Sequence, residues 1–106
     1  MAKYLVSVNY SPDGLKGILK EGGSGRVAAI EKLFKSVGCK IESLYFAFGD
    51  TDLFVILDAP NNVTAAGLSL FVTAAGAAST KVTVLLTPAE IDEAIKINPA
   101  YRLPGQ

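Results

Sequence analysis

The chain has 106 residues, half of them apolar and about a fifth charged, enough for one hydrophobic core and too short for a second domain. Ten basic and ten acidic residues cancel, so no overall field draws the chain to nucleic acid or an anionic membrane, and neither is expected as a partner. The lone cysteine, Cys39, excludes an internal disulfide, and the absence of histidine removes imidazole triads and the commonest zinc sites. A cytoplasmic domain spanning residues 1–106, with no cofactor and no metal, is the expectation.

Residues 3–10 alternate, Tyr4, Val6, Val8 and Tyr10 against Lys3, Ser7 and Asn9, the period of a strand; a secretory leader would have a long apolar core here instead. Ser11-Pro12-Asp13-Gly14 has turn and capping chemistry, and residues 15–20 can make one or two helical turns. Gly22-Gly23-Ser24-Gly25 should interrupt that helix. From Ser24, a good N-cap, Val27, Ile30, Leu33, Phe34 and Val37 recur at steps of three and four, which predicts a second helix closed by Gly38.

A second strand is expected over residues 39–48, a hairpin turn at Gly49-Asp50-Thr51, and a third strand over 52–58. Leu53 to Leu57 contains no polar residue, so both faces of the third strand should leave water. Asn61 and Asn62 precede a helix over 63–77 that is apolar on nearly every side. A fourth strand follows over 79–86, and Thr87-Pro88-Ala89-Glu90 reads as a capping box that opens a short last helix. Residues 99–106 lack periodicity and read as an arm or a disordered tail.

The order strand, helix, strand, strand, helix, strand, helix predicts an α+β, ferredoxin-like βαββαβ fold with an extra C-terminal helix, strands one and three being central. Helices on one sheet face leave the other to be covered by a second subunit, so a homo-oligomer is expected. The most apolar stretch, 63–78, is shorter than the roughly 20 residues of a membrane span.

Tyr4-Leu5-Val6, Asn9-Tyr10, Gly14, Arg26, Gly38, Tyr45, and Gly49-Asp50-Thr51-Asp52 followed by an apolar strand and Pro60 together resemble the GYD domain family over nearly the whole chain. The family is named for a glycine, tyrosine and aspartate at this hairpin, and here Thr51 stands at the tyrosine position. The resemblance implies a dimeric α/β barrel in which two sheets pack face to face, and it implies no particular activity.

Cys39 beside Lys40 offers a thiol that reads as a buried structural residue. Asp50 and Asp52 offer two hard oxygens, but aspartates in hairpins ordinarily bond their own backbone. A helix beginning at Ser24 presents free N–H groups flanked by Lys20 and Arg26, a candidate anion site, although the glycines also suit a plain hinge. Asn9, Tyr10 and Tyr45 are candidate polar groups for a pocket between sheet and helices. Two functions follow: a homo-oligomeric module that binds a small molecule or anion, or a cofactor-independent enzyme, isomerase or monooxygenase-like, acting on a small organic substrate.

Overall fold

A computed structural model describes all 106 residues. The chain runs β1 (Ala2–Tyr10), α1 (Pro12–Ser36), β2 (Lys40–Phe46), β3 (Leu53–Ala59), α2 (Asn62–Ala74), β4 (Ala78–Leu85) and α3 (Pro88–Ile95). The strands form one antiparallel sheet in the order β2-β3-β1-β4. This is the ferredoxin-like α+β arrangement with an added C-terminal helix, and the first and third strands are the central pair. No helix is long and apolar enough to cross a membrane.

Strand alternation sorts the side chains onto two faces. Tyr4, Val8, Leu53, Val55 and Leu57 point beneath α1 and α2 and form the buried core with Ile30 and Phe34 of α1 and Ala65 of α2. The opposite face has no helix over it. Leu5, Ile56 and Leu85 are half-buried there, and Phe54 is 38% exposed. The unbroken apolar run of β3 is thus covered on one side only within the chain. Likewise α2 buries a single stripe and leaves Val63, Leu70 and Phe71 exposed, because a helix lying on one sheet face turns its other side outward.

The ends of the elements follow local chemistry. Gly38, at φ 76°, closes α1: its N–H donates to Lys35 O (3.1 Å) and that of Cys39 to Phe34 O (2.9 Å), the paired bonds of a helix ended by a left-handed residue. Asn61 caps α2 by accepting from Thr64 N at 2.9 Å. Thr87 and Glu90 form the reciprocal capping box of α3, with bonds of 2.9 and 3.2 Å.

The glycine-rich segment interrupts the helix as expected, but at its first residue: two helical stretches within α1 meet at Gly22, which leaves helical geometry at φ 78° and ψ 166°. A positive φ at this one residue lets the chain kink and restart at once, so Ser24 lies inside the restarted helix and is not its cap. The N-cap of α1 is Ser11, which accepts from Gly14 N at 3.1 Å. The second strand is also shorter than expected: residues 47–52 connect β2 to β3.

Candidate functional site

Between the sheet and the two long helices lies a half-open cavity of about 250 Å³. Seventeen of its 20 lining residues are hydrophobic, so its few polar atoms decide what it can orient. The register places them. Tyr10 lies opposite Ala78, and Thr80 opposite Val8, which itself faces Leu53; Tyr10 and Thr80 therefore share the end of the cavity where β1 finishes. Tyr4, opposite Leu57 and Val84, marks the other end. Its ring is buried and its hydroxyl donates to Asn62 Oδ1.

At the Tyr10 end three kinds of group meet. Arg26 reaches in from α1 just past the Gly22 kink. Its Nη1 lies 3.4 Å from Glu21 Oε1, and its Nε is buried without a hydrogen-bond partner. The Tyr10 hydroxyl is held above its ordinary pKa, chiefly by burial; the Arg26 charge opposes the shift, and Asp52 and Glu21 add to it. Tyr10 is consequently a protonated donor at neutral pH and not a phenolate base. Ser69 of α2 and Thr80 of β4 hydrogen-bond to each other on the same wall, with Thr73 Oγ1 3.4 Å from Thr80 Oγ1.

Asp52 anchors this end of the sheet. Its Oδ2 accepts from Tyr10 N at 2.9 Å, while its own N–H donates to Val8 O at 3.0 Å and to Asn9 Oδ1 at 3.2 Å. The aspartate of the hairpin thus satisfies backbone, as turn aspartates do, and ties the β2–β3 connection to the end of β1. A second tie joins α1 to the start of β4: Ser11 donates to Ala77 O through both N–H (2.9 Å) and Oγ (3.1 Å).

Of the residues singled out from sequence, the structure brings Tyr10 and Arg26 together at the cavity. Asn9 is exposed and bonded to the hairpin. Tyr45 pairs with Phe54 at the edge of the sheet and is 72% exposed. Ser24 and Tyr45 border a separate shallow depression with Val27, Leu44 and Phe46, and Lys20 is exposed on α1. Cys39 is buried at the start of β2, and burial pushes its thiol pKa up, the direction of an inert thiol. Ser69 and Thr80 were not anticipated. Ser69 and Thr73, four residues apart in a helix that is otherwise apolar beyond its first turn, were the available signal, since that spacing puts both on one helical face.

A family model described as the GYD domain matches residues 4–95. No curated protein and no solved structure matches the chain.

Proposed function

The chain belongs to the GYD domain family, and we propose that it serves as a homo-oligomeric binding module that takes a small, largely apolar molecule carrying one acceptor or anionic group. The cavity supports this reading. Being half-open, the cavity of about 250 Å³ leaves carbon surface against water, and an apolar occupant that takes this surface out of water binds with the hydrophobic gain. A cavity of ~150 Å³ takes benzene, so this one suits a body of roughly ten non-hydrogen atoms. The polar group of the ligand meets the partly exposed Arg26 guanidinium, which Glu21 also approaches, and the Tyr10 hydroxyl, and an oxygen there accepts a charge-assisted hydrogen bond.

The observation that carries the reading is the gathering of Arg26, Tyr10, Ser69 and Thr80 at one end of a cavity that is otherwise apolar. The enzymatic alternative asks Asn9, Tyr10 and Tyr45 to surround one substrate, whereas Asn9 and Tyr45 lie outside the cavity that Tyr10 lines. Self-association is supported by the open sheet face and by the exposed Leu70 and Phe71 of α2.

NMR titration with hexanoate and hexanol tests the ligand class. Hexanoate should bind more tightly and move the amide signals of Tyr10, Arg26 and Thr80. Arg26→Gln should weaken hexanoate about tenfold or more, as expected for one charge-assisted bond, and leave hexanol unchanged. Glu21→Gln should strengthen hexanoate by releasing the guanidinium. Saturable binding of neither compound, or equal losses for both in Arg26→Gln, would refute the reading.

A further inference from the structure

Besides Arg26 and the tyrosines, the polar residues that line the cavity are Ser69 of α2 and Thr80 of β4, which bond to each other at the Tyr10 end. The bonding continues from Thr80 to Thr73, outside the lining, at 3.4 Å. None of the three hydroxyls donates to a backbone carbonyl, as Ser36 does to Leu33 O. A hydroxyl has one hydrogen and two lone pairs. Thr80, in the middle, gives its hydrogen to one neighbour, and the other neighbour then gives its own to Thr80. In one arrangement Ser69 keeps a free O–H, and in the other it keeps two free lone pairs. Either way, the end of the chain at the cavity has hydrogen-bonding capacity that the protein leaves unused.

We infer that the ligand is a hydroxy acid, its carboxylate held by Arg26 and Tyr10 and its hydroxyl held by Ser69, which Thr80 orients. The inference rests on the binding module proposed above and narrows its ligand. A ligand hydroxyl both donates and accepts, so it satisfies Ser69 in either arrangement, whereas a carbonyl oxygen satisfies only the first and a methylene neither. The placement separates the two ligand groups. Arg26 stands on α1 and Ser69 on α2, the two helices that wall the cavity. On the floor, Tyr10 lies opposite Ala78 and Thr80 opposite Val8, which makes Tyr10 and Thr80 diagonal neighbours at ~7–8 Å. Groups that meet neighbours of this kind are a few bonds apart, as in a 3-hydroxy acid. Farther along β1 the lining is aliphatic at Val8 and Val6, and the Tyr4 hydroxyl is taken by Asn62. A hydroxyl at the far end of the ligand therefore finds no free partner.

NMR titration of the full chain with hexanoate, 3-hydroxyhexanoate and 6-hydroxyhexanoate tests the inference. One enantiomer of 3-hydroxyhexanoate should bind about two- to tenfold more tightly than hexanoate, the range for one neutral hydrogen bond, and 6-hydroxyhexanoate more weakly than either. Ser69→Ala places a strong helix former in α2 and should bring the ratio of 3-hydroxyhexanoate to hexanoate affinity down to about one. Thr80→Val keeps the side-chain shape on a strand and should lower the same ratio by freeing Ser69 from its orienting partner. Hexanoate binding with no preference for the 3-hydroxy acid would overturn the inference and leave the binding module standing. A preference that persists in both variants would place the hydroxyl elsewhere and overturn it too. Saturable binding of none of the three acids would overturn the inference and the module together.

Discussion

Two glycines in one helix should respond to the same substitution with opposite signs. Gly14 and Gly17 both lie in α1, and by helix propensity alone alanine at either stabilises by ~1 kcal/mol. A Cβ at Gly17 meets nothing within 4 Å, so Gly17→Ala should realise most of that gain and raise the melting temperature by about 4 °C or more. A Cβ at Gly14 falls 2.2 Å from the carbonyl oxygen of Ala77 and 3.2 Å from the Tyr10 ring. The first contact is with backbone that cannot step aside, and that same oxygen receives both bonds from Ser11. Relief therefore requires the start of α1 to lift, with loss of two hydrogen bonds at about 0.5–1.5 kcal/mol each, which outweighs the propensity gain. Gly14→Ala should destabilise by up to about 2 kcal/mol net, and urea unfolding of the two variants beside the wild type measures it. If Gly14→Ala proves as stabilising as Gly17→Ala, the close junction of α1 with Ala77 is wrong, and with it the position of Tyr10 at the cavity end.

Asp52→Ala should destabilise by about 1.5–3 kcal/mol, the range for a hydrogen bond to a charged group, because Tyr10 N loses its acceptor; denaturant unfolding reads the change, and a neutral result would show the hairpin tie to be dispensable. The raised pKa of Tyr10 gives an alkaline signature: the unfolded chain releases this proton near pH ~10 and the folded one later. The stabilisation is therefore fully present below pH ~10 and is lost as pH rises through the folded value. Lys3, raised chiefly by its hydrogen bond to Glu42 and then by Asp58, acts in the same window and direction. Tyr10→Phe should flatten only the tyrosine part of the slope and remove one late-titrating group from the tyrosinate absorbance; loss of a group that titrates at the ordinary pH of ~10 instead would place Tyr10 in water.

Much of this fold was legible in the residues because local rules and tertiary demands agree. The left-handed Gly38 after an amphipathic run, the Thr87–Glu90 box and the apolar Leu53 to Leu57 each mark a boundary or a place in the sheet by chemistry that acts within a few residues. Three glycines within four residues, Gly22, Gly23 and Gly25, do not say which one will kink. The folded chain kinks at Gly22, which places the helix restart ahead of Ser24 and leaves Arg26 near enough to Tyr10 for its charge to act on the hydroxyl. Strand period alone separates Asn9 from Tyr10, since neighbours on a strand face opposite ways. It does not say which of the two faces is roofed by helices, and so could not show that Tyr10 lines a cavity while Asn9 serves the hairpin. The cavity itself is a space between α1, α2 and the sheet, formed by side chains as far apart in sequence as Tyr10 and Thr80. A property of that kind belongs to no segment and arises only when the chain is closed around it.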